Sequence, residues 1–178
     1  RDRMKIIISP AKKMNIREDE LEWADLPCFL SRAEELKKYI QGLDLEQARK
    51  LWQCNETIAR LNYRRFQDMD LERRLTPALL SYEGIQYQYM APGVFEQGQW
   101  DYVQEHLRIL SGFYGILKPL DGIVPYRLEM QAKVELPSGI KSLYDYWGSA
   151  ICRELAADET LIVNLASKEY SRAVEPYL

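Results

Sequence analysis

The stretch from His106 to Met130 constrains the fold of this chain more than any other. It reads HLRILSGFYGILKPLDGIVPYRLEM. Gly112, Gly115 and Gly122 admit backbone shapes and close approaches that side chains forbid. Pro119 and Pro125 fix φ and remove two amide donors. Arg108, Lys118 and Arg127 are its basic groups. A backbone this punctuated is built to present something, such as amides to an anion or a shaped loop to a partner.

Upstream, residues 97–111 carry Trp100, Val103, Leu107 and Leu110 at helical spacing, which predicts a helix. Gly112 then falls at the position after the helix end, with Phe113 folding back on the last turn. Gly115 follows, so the segment resembles the hairpin of helix-hairpin-helix DNA-binding elements, whose amides face a phosphate. Pro119 shortens any second helix, because it disfavours helix at Lys118. The competing reading is a tight capped turn that only reverses the chain.

Around this stretch strands and helices alternate. Lys5–Ile8 reads as a strand buried on both faces, and Pro10 ends it. Ser9 and Lys12 then lie just past a strand's carboxyl end, where open α/β sheets place their ligands. Residues 15–27 read as irregular. Helices are predicted over 29–40, from Asp44 with Gln47 in a capping box, from Asn55 to about Met69, and over 142–156. The third of these carries Arg60, Arg64 and Arg65 on one face, which reads as a solvated face or a phosphate contact. Ala78–Tyr82 and Thr160–Leu165 read as strands; the latter runs into Ser167, Lys168 and Glu169. The pattern predicts an α/β domain, or α+β, with a partly parallel mixed sheet and surrounding helices over residues 1–178.

Composition narrows the function. With 24 basic and 27 acidic side chains the net charge is −3, so the chain is not a uniformly basic nucleic-acid coat; a local basic cleft is compatible with this. Cys28, Cys54 and Cys152 are dispersed, which predicts neither a disulfide framework nor a thiol metal site. His106 is the single histidine. No apolar run is long enough for a membrane span, and no secretory leader is evident. Arg1-Asp2-Arg3 precede Met4 and carry no part of the functional reading. Nucleophile-elbow, P-loop and dinucleotide-binding motifs are absent from the sequence. Glu83, Glu129 and Glu169 are the acids near strand ends or in the central loop, and a pair of them in one cleft would serve as acid and base.

Several segments together resemble one family. Ile8-Ser9-Pro10-Ala11-Lys12, the block Leu107 to Asp121, Pro125-Tyr126-Arg127-Leu128-Glu129-Met130, Leu143-Tyr144 with Tyr146-Trp147-Gly148, and Asn164 to Tyr170 are similar, in order, to the motifs of the YaaA family of bacterial peroxide-stress proteins. The resemblance implies a cytoplasmic protein that limits hydrogen-peroxide damage by lowering free iron. It also implies binding of double-stranded or distorted DNA without sequence specificity, through a positively charged cleft and a helix-hairpin-helix element laid on Gly112–Gly115. At Tyr82–Tyr87 the chain departs from the family pattern, with Glu83 and Ile85 where the family has a basic and an acidic residue. The family pattern also continues beyond Leu178, so the domain is expected to be incomplete at its C-terminal side relative to the family.

The expected phosphate-binding set is therefore Ser9, Lys12, Arg108, Gly112, Tyr114, Gly115, Lys118, Arg127 and Lys168, without a cofactor or metal site. The alternative is an enzyme acting on a nucleotide or damaged base, with Glu129 and Glu169 as acid and base and with Ser9 and Lys12 holding phosphate. It requires Ser9, Lys12, Arg127, Glu129 and Lys168 to share one pocket. A third reading, direct iron binding, would need an oxygen-rich carboxylate site.

Overall fold

Ile6, Ile7 and Ile8 are stiff at χ1 and suit a pleated surface, and they form the body of strand β1 (Met4–Ile8). The computed structural model describes residues 3–17, 21–157 and 160–178; Arg1 and Asp2 lie outside them. Within these residues the other strands are β2 (Lys13–Met14), β3 (Thr76–Pro77), β4 (Tyr82–Glu83), β5 (Leu107–Ser111), β6 (Gly115–Leu117), β7 (Gly122–Ile123) and β8 (Leu161–Asn164). The α-helices are α1 (Leu30–Gln41), α2 (Leu45–Trp52), α3 (Glu56–Gln67), α4 (Ala78–Ser81), α5 (Ile85–Met90), α6 (Gln97–His106), α7 (Leu143–Trp147), α8 (Ala150–Leu155) and α9 (Lys168–Ser171).

The main sheet has the order β6-β5-β1-β8. β1 is an inner strand, parallel to β5 with Ile7 opposite Arg108, and parallel to β8 with Ile7 opposite Asn164. β6 returns antiparallel on β5. Two small antiparallel ladders, β2–β4 and β3–β7, lie outside this sheet. Helix α6 packs on β1 and β5, while α1 and α2 both pack on α3. This is the mixed, partly parallel α/β architecture that the alternation of elements predicts.

Local chemistry sets the helix starts. The Gln47 amide donates to Asp44 Oδ1 at 2.8 Å, and the Asp44 amide donates back to Gln47 Oε1 at 2.9 Å. The Asn55 side chain accepts from the Ile58 amide at 2.9 Å. Each such cap satisfies a donor that a helix end otherwise leaves open.

Three predicted elements are corrected. Ala78–Ser81 is one turn of helix rather than a strand, with the strand residues on either side of it. The predicted helix over 142–156 is two short helices, broken at Gly148, whose φ is +51°. The predicted helix over 97–111 stops at His106, and Leu107–Ser111 runs as a strand. Leu107 and Leu110 satisfy helical spacing, but residues 107–109 pair with residues 6–8 far away in sequence, and this non-local ladder overrides the local pattern.

Candidate strand-end site

The chain leaves β1 and returns as β5 on one side of it, then later as β8 on the other. The sheet therefore has a switch point between β1 and β8, and the carboxyl ends of these strands frame a crevice there. Open α/β sheets bind their ligands at such a point. Ser9 follows β1 and Ser167 follows β8. The Ser167 amide donates to Ser9 Oγ at 2.8 Å, and the two hydroxyl oxygens are 3.2 Å apart. This clasp holds the two strand ends together.

A cavity of about 210 Å³ opens at the clasp. Its functional walls are Ser9, Lys12, Arg127, Glu129, Ser167 and Glu169. They come from the β1 end, from the extended stretch after β7, and from the β8 end. Glu129 Oε2 lies 3.6 Å from Lys12 Nζ and 3.5 Å from Arg127 Nη2. Lys12 is exposed, whereas the Arg127 side chain is only 11% exposed. Glu169 accepts from the Gln131 amide at 3.3 Å. Burial raises the Glu169 carboxyl above its ordinary range, and the Glu129 charge adds to this, against the pull of the Gln131 amide and Lys12.

From Tyr126 to Leu136 the even-numbered residues are buried and the odd-numbered ones face outward. That period of two belongs to extended backbone, and it aims Arg127 and Glu129 into the cavity while Tyr126, Leu128 and Met130 anchor the segment. The anchor is polar as well as apolar. The Tyr126 hydroxyl lies 2.7 Å from the Tyr82 hydroxyl and 2.7 Å from Ser111 Oγ, all in buried surroundings. Burial pushes the Tyr126 phenol up to about 12, so it stays protonated and keeps this network intact.

The Gly112–Gly115 element is a β-hairpin turn between β5 and β6, with strands rather than helices on both sides. The Phe113 and Tyr114 amides donate to Ser111 Oγ at 3.2 and 2.9 Å, so they are consumed inside the fold. Tyr114 is fully buried, and its hydroxyl accepts from the Val124 amide at 3.1 Å. Gly112, Tyr114 and Gly115 are therefore packing residues and are removed from the phosphate-binding set. Gly115 has φ +82°, and a Cβ there would fall 2.8 Å from the Trp147 ring. Gly112 is required for space: a Cβ on it would lie 2.7 Å from the Leu128 carbonyl oxygen and 3.0 Å from Glu129 C.

Arg108 and Lys118 belong to a different cluster. Arg108 donates to the carbonyls of Gln104 and Leu107 at 2.8 and 2.7 Å. Lys118 pairs with Asp25 at 3.3 Å and approaches Asp121 at 4.0 Å. Neither lines the strand-end cavity, so the predicted single cleft of five basic residues divides in two. Lys168 also stays outside the cavity; it is exposed and pairs with Glu175 at 3.5 Å. Of the five residues required in one pocket, Ser9, Lys12, Arg127 and Glu129 meet there, and Glu169 joins them in place of Lys168. Ser167 and Tyr126 are the site residues that the sequence reading missed. Ser167, like Ser9, lies past the carboxyl end of a strand, beyond Leu165 and Ala166 after β8, so the strand-end rule would have found it.

Among the described residues no group of three or more His, Cys, Asp or Glu side chains is gathered as a metal ligand set. No helix among them is long and apolar enough to cross a membrane. A family profile described as peroxide stress protein YaaA matches residues 4–177. The chain belongs to the YaaA family. A UPF0246 protein of Desulfitobacterium hafniense is 57% identical over 175 residues, which are 98% of this chain and 69% of that relative. UPF0246 proteins of Agathobacter rectalis and Lachnoclostridium phytofermentans are each 53% identical, with 98% of this chain matched and 70% and 68% of theirs. As a YaaA-family member the chain is placed among peroxide-stress proteins, and the motifs that carried the resemblance now have positions. ISPAK is the β1 end of the cavity, PYRLEM its extended wall, and NLASKEY its β8 end.

Proposed function

We propose that this YaaA-family chain binds double-stranded or distorted DNA without reading its sequence, using the face around the strand-end cavity, and so helps limit iron-driven damage under peroxide stress. The observation that supports this is the meeting of Ser9, Lys12 and Arg127, from separate stretches, at the switch point of the sheet. Hydroxyls and basic groups of this kind hold phosphate oxygens, which carry no sequence information. Exposed Lys12 extends the phosphate-facing surface at the mouth, and exposed Lys168 follows Ser167 of the cavity wall in sequence.

A salt series of DNA titrations tests this. Each phosphate contact contributes about one unit to the slope of log K against log salt. Lys12→Ala combined with Lys168→Ala is expected to lower the slope by roughly two units. Lys118→Ala, which removes a lysine that does not line the strand-end cavity and sits in the Asp25–Asp121 cluster, is expected to leave it unchanged. Identical slopes for all three proteins would sink the proposal.

A second reading, an enzyme acting on a nucleotide or damaged base, is favoured by one specific feature. Two carboxyl groups share the cavity in different surroundings: Glu129 is clasped by two cations, and Glu169 is half-buried, with its carboxyl raised by desolvation. Such a pair suits general acid and general base work. Glu169, whose carboxyl desolvation raises, would donate a proton, and Glu129 would take one up. Base-damaged oligonucleotides recovered unchanged after incubation with the protein would remove this reading.

A further inference from the structure

A second hollow, of about 270 Å³, adjoins the strand-end cavity, and Arg127 and Glu129 line both. These two side chains form the partition between them. The second hollow is otherwise walled by Trp52, Gln53, Gln131 and Lys133 among others. Trp52 closes helix α2, and Gln53 turns the chain away in a left-handed conformation with φ 51°.

Two buried donors in this wall have no hydrogen-bond partner among the described residues: the indole Nε1–H of Trp52 and the Nε–H of Arg127. Trp52 is only 3% exposed. An indole N–H is donor-only, as is every guanidinium N–H. Buried donors are costly unless something accepts from them. The hollow also carries the Lys133 cation and the side chains of Gln53 and Gln131, while the one acid among its described lining residues, Glu129, is already engaged by Lys12 and Arg127. Unused donors, surplus positive charge and an open floor call for an acceptor-only anion.

We propose that the Trp52 hollow is a second subsite of the strand-end cavity and takes a phosphoryl group next to the unit seated in the cavity. Trp52 Nε1–H and Arg127 Nε–H donate to its oxygens, and Lys133 balances its charge. The inference rests on the reading of the strand-end cavity as the ligand site. Two phosphates in sequence occur in a nucleoside diphosphate and along a DNA strand, so both sources are tested.

Wild type, Trp52→Phe, Lys133→Glu and Lys12→Ala are titrated calorimetrically with a nucleoside 5′-monophosphate, the matching 5′-diphosphate and a 5′-phosphorylated DNA dinucleotide. Trp52→Phe keeps the aromatic stack on Phe66, whose ring centroid is 5.8 Å away, and removes only the donor. It is expected to weaken one of the two-phosphate ligands at least about tenfold and to leave the monophosphate unchanged. The ligand that responds identifies the source. Lys133→Glu reproduces the effect without touching the core. Lys12→Ala weakens all three ligands, because it acts in the first cavity. Unchanged two-phosphate affinity in Trp52→Phe and Lys133→Glu, with Lys12→Ala still impaired, overturns the subsite alone. Absence of binding by wild type overturns the cavity reading with it.

Discussion

Gly112→Ala is expected to destabilise the protein by about 3 kcal/mol, lowering the melting temperature by roughly 6–12 °C, and to weaken phosphate-ligand binding at least about tenfold. The cause is a backbone crossing. The β5–β6 turn passes so close to the extended segment that a methyl group at Gly112 would stand 2.7 Å from the Leu128 carbonyl oxygen and 3.1 Å from that of Glu129. Neither neighbour is a side-chain tip that can swing aside. Both belong to a backbone strip anchored by buried Tyr126, Leu128 and Met130, and close-packed interiors resist such shifts. Relief therefore requires the strip to retreat, and the strip carries Arg127 and Glu129 into the cavity. Stability and binding fall together for this reason. Gly98→Ala is the control: nothing lies within 4 Å of its Cβ position, and the residue sits in helix α6. There alanine is expected to be neutral or stabilising by about 0.5–1 kcal/mol. Thermal melts and titrations of the two variants check this, and a Gly112→Ala protein with wild-type stability would refute the crossing as the reason for the glycine.

That glycine also shows where sequence reasoning stopped. Gly112 is conspicuous in the sequence, but its local neighbours suggest a helix end and amides offered to phosphate. Its actual requirement, room for residues 128–129, is a tertiary fact. The error has a single root in the His106–Leu107 junction, where helix passes to strand with no glycine or proline to mark it. Leu107 and Leu110 fit the helical period, and only the pairing of Leu107 with β1 and of Leu110 with β6 shows that they lie on a strand. Signals that act over three or four residues were legible, such as the Asp44–Gln47 capping box and the Asn55 cap. Runs of β-branched residues gave the two strands that frame the cavity, Met4–Ile8 and Leu161–Asn164.

The site followed the same division. Ser9 and Lys12 were legible because a strand end is a local feature. Glu129 and Glu169 could be named but not placed together, since their meeting depends on β8 pairing with β1 across most of the chain. Arg108 and Lys118 read as part of one basic set with Arg127, because a basic residue beside a turn looks the same whichever face it takes. Trp52 gave no signal at all. The last apolar residue of an amphipathic helix reads as core, and its unpartnered N–H is visible only in three dimensions.

The separation of the two clusters leads to a large pH effect confined to one of them. Asp121 is 2% exposed, and its Oδ2 accepts from the Lys118 amide at 2.8 Å, while Oδ1 has no hydrogen bond among the described residues. Burial pushes its carboxyl up to about 7, with the Lys118 amide and ammonium and the Arg108 charge pulling downward and Asp25 pushing further up. An unfolded aspartate titrates near 3.9. The folded state therefore holds the proton more tightly, so this group's contribution to stability is fully present below about pH 4 and is lost as pH rises through about 7. At about 1.4 kcal/mol per unit, the wild-type stability relative to Asp121→Asn is expected to fall by roughly 3 kcal/mol between pH 5 and pH 8. Asparagine keeps an acceptor for the Lys118 amide and cannot ionise, so the difference between the two proteins isolates the Asp121 proton. Chemical denaturation at a series of pH values measures it, and parallel profiles for the two proteins would contradict the assignment. Asp121 fixes the turn on which α4 docks, its own carbonyl accepting from the Ala78 amide at 2.8 Å and that of Pro119 from the Leu79 amide at 3.0 Å. It does not line the strand-end cavity. Ligand affinity of Asp121→Asn should accordingly match wild type at every pH where both remain folded, whereas a shared basic cleft running from Lys118 to Arg127 would make the affinity move with the Asp121 charge.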